Sequence, residues 1–419
     1  MKHRIALCSF TLAVTGVLSP ATSHAQSVPP QSPWVFSSGI AVKETYDSNV
    51  FLQDVGALDH KSSMVSSVTP SLALTYQPGP AFKAAFTYAP EVAWYHSYSS
   101  ENYVAHRAAI NLSGKSGATA WELNNALTGI DGSDLGPTFD IANGGAVPAL
   151  GGIPLRDRRD AIIYRNNFKL TQTIGKWFIR PVVSSYVHDF ETKQKTTPGY
   201  ENYVDRNEVS GGLDVGYEAW DKTWLVLGYR YGHQHQGELL GIDSLYSNDY
   251  QRVLAGVEGN PAPWLKLSLL GGPDFRNFSA TTLPPTFNPD ALLFYLDASA
   301  TVTLGKSDTL TVILTRFEQT AFSSQSMYED VVYSLGWRHQ CNEQFAVNLG
   351  LKIYQGDWQS PVRRNDIIYT PSVGVTYTFN KQLSADLGWS YDTVNSEIPS
   401  TDGREFTRNL VSLGAKYTF

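Results

Sequence analysis

Two cysteines stand among 419 residues, Cys8 and Cys341. A chain so poor in thiols cannot rest on a disulfide framework. Basic charge is also scarce: 32 Lys and Arg face 39 Asp and Glu, for a net charge of −7. Nothing in that balance invites nucleic acid. Charged residues make up 17%, below the roughly 25% of soluble domains. Yet beyond the first 25 residues no run of 18 apolar residues occurs, so a transmembrane helix is excluded. Little charge without helical spans fits a sheet that meets lipid with every second residue. Catalytic signatures are missing too, with no G-x-S-x-G elbow and no H-E-x-x-H. His233 and His235 share a strand face, but two histidines make a weak metal site. His96-Ser97 would need an arranged third partner to act as a barrel lipase or deacylase, and sequence order does not supply one. No cofactor and no enzyme activity is expected.

Lys2, His3 and Arg4 precede a largely apolar stretch, Ile5 to Leu18, and Ala21-Thr22-Ser23-His24-Ala25 offers small residues where a signal peptidase reads. This is a secretory signal with cleavage after Ala25. Its apolar core of about 14 residues is shorter than the roughly 20 that a membrane helix needs, and Cys8 lies inside it, too early for lipid attachment. Losing Lys2 and Arg4 takes the formal charge from −7 to −9 and leaves Cys341 alone. The expected organisation is a signal at 1–25, a periplasmic segment at 26–33 and a barrel over 34–419. So short a segment leaves no room for a plug domain before the barrel.

Apolar and polar residues alternate through the rest. Leu383, Ala385, Leu387, Trp389 and Tyr391 interleave with Ser384, Asp386, Gly388, Ser390 and Asp392; Phe345, Val347, Leu349, Leu351 and Ile353 interleave with Ala346, Asn348, Gly350 and Lys352. Period two over whole segments means strands. Short turn signals at 77–80, 113–117, 175–176, 220–222, 259–263, 305–307, 341–343 and 380–381 alternate with mostly longer connections at 48–62, 96–101, 131–157, 191–200, 236–247, 277–289, 323–326, 356–363 and 394–403. Eight turns and nine loops imply about 18 strands with both chain ends on the side of the short turns, the asymmetry of an up-and-down transmembrane β-barrel. No fixed repeat marks a solenoid, and a sandwich has no need of so many long strands. The fold class is an all-β, antiparallel transmembrane barrel. Aromatics near strand ends, Trp34, Phe36, Tyr88, Trp94, Tyr217, Tyr377, Phe379, Trp389 and Tyr391, suit its two interfacial girdles.

The polar parity of each strand should line the lumen. It carries Lys43, Lys83, Arg107, Arg165, Lys169, Arg180, Arg230, Arg252, Lys266, Arg276, Arg338, Lys352 and Lys416 against Asp47, Glu91, Glu122, Glu208, Asp214, Glu258, Asp274, Asp297, Asp386 and Asp392. Two readings stay open: a slightly basic hydrated wall for polar or anionic solutes, or cross-lumen salt bridges that stabilise the wall. Glu44, Arg316 and Glu318 fall on the parity that should meet lipid; a bulge near Arg316 would restore the pattern. The longest connection, 131–157, ends in Arg156-Asp157-Arg158-Arg159-Asp160. It either folds inward as a basic constriction or stays at the surface.

Two stretches resemble known families. Val411-Ser412-Leu413-Gly414-Ala415-Lys416-Tyr417-Thr418-Phe419 resembles the last strand of bacterial outer-membrane barrels, which closes on Phe with an aromatic two places earlier. Glu44-Thr45-Tyr46-Asp47-Ser48-Asn49-Val50 resembles the E-x-Y-D-x-N-V opening of the putative β-barrel porin 2 family. That resemblance implies an outer-membrane location among lipid and lipopolysaccharide, and a porin-like channel, with exopolysaccharide export and contact with periplasmic export machinery as family associations. A general diffusion porin and a closed structural or adhesive barrel are the alternatives. On this reading the mature protein is sheet-rich in detergent and migrates anomalously on unheated gels, because a closed hydrogen-bonded wall resists denaturant. Circular dichroism with paired gel lanes checks it; substantial helix would contradict it.

Overall fold

The computed structural model describes residues 32–54, 58–132, 160–191, 203–239, 241–280, 282–285, 287–322, 325–360, 363–398, 401–402 and 405–419. The expected signal segment lies outside them, as does the Arg156, Arg158 and Arg159 cluster of the longest loop. The strands are β1 (Trp34–Asp47), β2 (Ser63–Gly79), β3 (Phe82–Tyr88), β4 (Glu91–Tyr95), β5 (Tyr103–Ser116), β6 (Thr119–Asp131), β7 (Ala161–Ile174), β8 (Trp177–Phe190), β9 (Arg206–Trp220) and β10 (Thr223–Gln236). They continue as β11 (Asn248–Ala262), β12 (Leu265–Phe278), β13 (Leu293–Leu304), β14 (Asp308–Thr320), β15 (Met327–Gln340), β16 (Phe345–Ser360), β17 (Arg364–Thr378), β18 (Leu383–Ile398), β19 (Thr401–Asp402) and β20 (Phe406–Thr418).

These twenty segments make eighteen wall strands. β3 and β4 are one strand interrupted at Ala89-Pro90, since both pair with β2 and with β5. Pro90 has no N–H to give a ladder, which is why the break falls there. β19 is a two-residue extension paired to the end of β18. All neighbours are antiparallel, and β1 pairs with β20 from Gly39↔Thr418 to Asp47↔Leu410. The sheet therefore closes on itself. Eight tight turns lie at the rim that holds both described ends, and nine connections, most of them longer, lie at the other, as the turn signals indicate. Gly175 and Gly305 occupy left-handed backbone at φ 61° and 64° in two of those tight turns, a conformation that costs glycine little.

The faces are inverted relative to a soluble protein. Leu227 (65%), Leu413 (62%) and Leu387 (54%) are exposed on the outside, whereas Asp214 and Asp274 are 1% exposed on the inside. An apolar exterior and a polar interior satisfy hydrocarbon and every backbone group at once. Glu44 does face outward. It sits near the outer rim, where Ser66 Oγ donates to its carboxylate at 2.6 Å and His96 Nε2 lies 3.6 Å away. Leu387→Arg should cost about 2–4 kcal/mol in the apolar band, and Ser384→Arg on the inner face close to nothing. Urea unfolding of the two variants in lipid compares them; equal losses would reverse the assignment of faces.

Candidate functional site: the barrel lumen

Strand register lays opposite charges side by side on the inner wall. Arg180 on β8 faces Asp214 on β9 and reaches over β9 and β10 to Glu258 on β11, with Nε–Oδ2 2.9 Å and Nη1–Oε1 2.6 Å. Arg230 on β10 takes the other oxygen of Asp214 at 2.6 Å. Arg252 and Arg276 share Asp274 Oδ2 at 2.7 and 2.8 Å, and Arg107 meets Glu91 at 2.7 Å. Charges so largely withdrawn from solvent are stable only when both partners are present and hydrogen-bonded. Glycines beneath allow them to lie flat: a Cβ on Gly228 would stand 2.5 Å from Asp214 Oδ1, and one on Gly232 would overlap the Tyr250 ring. Arg252 also lies 4.0 Å from the Tyr250 ring centre and 4.5 Å from that of Tyr295.

Several inner-wall arginines are thus neutralised in pairs. Arg107, Arg180, Arg230 and Arg252 stand on the inner face but each has a carboxylate. Arg165 lies over the Tyr186 ring at 4.9 Å. Arg338 donates to Asn348 and Gln340 at 3.1 and 3.0 Å, and Lys169 registers beside Glu122. A cavity of about 330 Å³ remains between Glu122, Lys169, Arg180, Trp224, Glu258 and Lys266.

The outer half of the lumen is crossed by an element that charge parity marked without explaining. Arg316 and Glu318 show no bulge, for β14 stays in register with β15 from Asp308↔His339 to Thr320↔Met327. Instead β14 leaves β13 after Arg316↔Leu296, and the outer ends of β14 and β15 lean inward. The freed edge is then satisfied by side chains of β9, β10 and β12, farther along the same wall. Arg276 and Gln234 donate to the Glu318 carbonyl at 2.7 and 3.5 Å, Arg206 to that of Thr320 at 2.7 Å, and Gln236 to that of Ala321 at 2.7 Å. The Val204 N–H donates to the Phe322 carbonyl at 2.5 Å. Phe322, fully buried, packs with Phe190, Tyr203 and Ile163, and His188 stacks on Phe190 at 3.9 Å. Glu318 is only 4% exposed because its strand has left the wall. Ala321 and Phe322 lie inside the lumen because β14 carries them in; the 131–157 loop lies outside the described residues beyond position 132.

The first outer loop also turns inward. Leu52, at φ 58°, packs among Tyr354, Ile368, Val394 and Phe406 on the inner faces of β16, β17, β18 and β20. Its root is the Asp47-Ser48-Asn49 stretch of the opening motif. Arg408 on β20 holds Asp47 with both nitrogens, at 3.0 and 2.7 Å, and Asn49 Nδ2 donates to the Gln53 and Thr407 carbonyls at 3.0 Å. The motif clasps the first strand to the last.

The histidine candidates do not assemble chemistry. His96 Nε2 meets Ser66 Oγ at 2.8 Å, not Ser97, and Glu44 approaches that same nitrogen; a relay requires the acid on Nδ1. His233 pairs with Asp249 at 2.9 Å and His235 approaches Ser247 at 3.3 Å, on separate partners. Among the described residues, Asp54, Asp59 and His60 have metal-ligand spacing, a set that surface acids form without an ion. Arg206, Gln234 and Gln236 were the residues that alternation alone did not single out. Asp47→Ala would strand the Arg408 guanidinium at the seam and should lower stability by about 3–5 kcal/mol. The unfolding midpoint in urea measures it, and an unchanged midpoint would show that the clasp is idle.

No curated protein matches the chain. Among solved structures it is similar to the outer membrane protein OpdK of Pseudomonas aeruginosa, at 9% identity and TM-score 0.43 over 92% of this chain and 99% of that one. It is similar also to a loop-deleted OmpT, an outer membrane protein of Vibrio cholerae, at 11% identity and TM-score 0.39 over 93% and 100%, and to the siderophore receptor PirA of Pseudomonas aeruginosa, at 9% and 0.39 over 94% and 81%. At such scores none of these likenesses bears on what the chain does. Residues 299–419, from β13 to the last residue, match the family described as "Putative beta-barrel porin 2", and with eighteen strands closed around an apolar exterior the chain is a bacterial outer-membrane β-barrel.

Proposed function

We propose that the protein is a non-enzymatic channel for hydrophilic cargo, with its width set by the inward-leaning β14–β15 hairpin. The observation that carries this reading is the latch itself. Four wall side chains, Arg206, Gln234, Gln236 and Arg276, hold carbonyls of a strand edge that left its neighbour. Release of a few such bonds would return the hairpin toward β13 and widen the outer mouth. Barrels of 16–18 strands are wide enough for an aqueous lumen, and a wall of neutralised pairs gives a hydrated surface with little net attraction for either ion sign. Neutral or weakly charged polymers suit such a wall better than small anions do. Exopolysaccharide, the cargo class that the family resemblance implies, is our preferred substrate, and export machinery would meet the barrel at its short-turn rim. A general diffusion porin shares the wall but has no use for a latch. The closed structural barrel draws on one observation, the full burial of Phe322 and Tyr328 in the outer lumen.

Planar-bilayer recording separates these readings. Gln234→Ala with Gln236→Ala removes three latch hydrogen bonds, those to the Glu318, Ala321 and Ser326 carbonyls, about 2 kcal/mol together, so the open fraction should rise roughly 30-fold. Added polysaccharide should block the open state and small sugars should not. Zero conductance in wild type and variant alike would leave the structural barrel. Equal conductance in both would place the hairpin outside the pathway.

A further inference from the structure

The lipid-facing surface has a polar patch where a monomer has no use for one. Across β3, β5, β6, β7, β8 and β9 the register aligns Phe86↔Ile110, Ile110↔Asn125, Asn125↔Asn166, Asn166↔Ser185 and Ser185↔Val209. Phe86, Ile110 and Val209 are exposed on the outside, so Asn125, Asn166 and Ser185 between them share that face. Asn125 is the midpoint of β6, flanked on its face by Leu123 and Leu127, and Val183 and Val187 flank Ser185. At mid-strand elsewhere the outward residues are apolar or aromatic: Tyr229 on β10, Leu314 on β14, Ile353 on β16 and Leu413 on β20. The patch is local to β6–β8.

Its hydrogen bonding is incomplete. Asn125 Oδ1 accepts from Tyr164 Oη at 2.9 Å and from Asn166 Nδ2 at 2.6 Å, and Asn166 Nδ2 also reaches Tyr164 Oη at 3.2 Å. Asn125 Nδ2 then has donors to spare and Asn166 Oδ1 an acceptor to spare. Hydrocarbon can satisfy neither, and a polar group left unmatched there is costly. Within membranes such groups are matched by protein, and carboxamides act as the glue between packed surfaces.

We propose that this face of β6–β8 is the contact through which two or more copies of the chain associate in the membrane. A second copy is the fitting partner because the spare donor and spare acceptor lie on one patch, so the patch complements itself under rotational symmetry. Ser185 adds a small, hydroxylated position that lets two walls approach closely. This inference is independent of whether the lumen conducts.

The test uses the full-length barrel in mild detergent and in lipid. Mass by light scattering should show an oligomer for the wild type. Asn125→Leu with Asn166→Leu should weaken association by about tenfold or more while unheated gels still report a folded barrel. Ser185→Trp leaves the Asn pair intact and should dissociate the oligomer by bulk alone, which keeps the test informative should the double variant fold poorly. In a Cys341→Ser background, Ser185→Cys should cross-link between copies in membranes. A monomeric wild type, with or without bound lipid, would overturn the proposal, as would an oligomer unchanged in both variants.

Discussion

Hydrocarbon offers no hydrogen bonds, and that single constraint shapes this protein. An open sheet edge in lipid would leave a row of amides and carbonyls unmatched. The β1–β20 pairing removes that edge, and the chain guards the closing seam with Asp47, Asn49 and Arg408 at its outer end. A strand pair made between the two ends of a chain joins residues separated by nearly the whole sequence, so it gains little from local propensity and is the natural place for side-chain reinforcement. The opening motif is best understood as that reinforcement.

The same accounting explains the lumen. Where β14 departs from β13, the carbonyls it frees are taken by Arg206, Arg276, Gln234 and Gln236. The inward hairpin is thus a piece of barrel wall folded into its own pore with its edge re-satisfied by the inner faces of β9, β10 and β12. Below it, Arg180, Asp214, Arg230 and Glu258 form a connected network over bare glycine backbone. Each member would be costly alone where it is largely withdrawn from water; joined, they fix the wall's shape and cancel one another's charge.

Much of this was legible in the sequence, because strand facing repeats every two residues and turn chemistry is local. Leu383 to Tyr391 and Phe345 to Ile353 declare their faces without help from the rest of the chain, and the alternation of short and long connections gave the eighteen strands. Arg107, Arg180, Arg230 and Arg252 could be placed on the inner face for the same reason. Their partners could not: Arg180 and Glu258 lie 78 positions apart, and the contact of Arg206 with Gln319 spans 113. The inward hairpin left one local trace. Arg316 and Glu318 sat on the lipid parity, and the physical answer was departure of the strand from the wall, not a slip in register. Asn125 and Asn166 break the same rule, and there the strands stay in the wall.

The account turns on the outer ends of β14 and β15 lying inside the barrel. Spin labels at Gln325 and Gly237, in a Cys341→Ser background and in lipid, measure that most directly, since Gln325 Nε2 donates to the Gly237 carbonyl at 3.3 Å. A population at the shortest resolvable separation is expected, giving way to longer separations only when Gln234 and Gln236 are replaced. A long, broad separation in the otherwise unaltered protein would mean that the hairpin stands outside the lumen, and the account would fail.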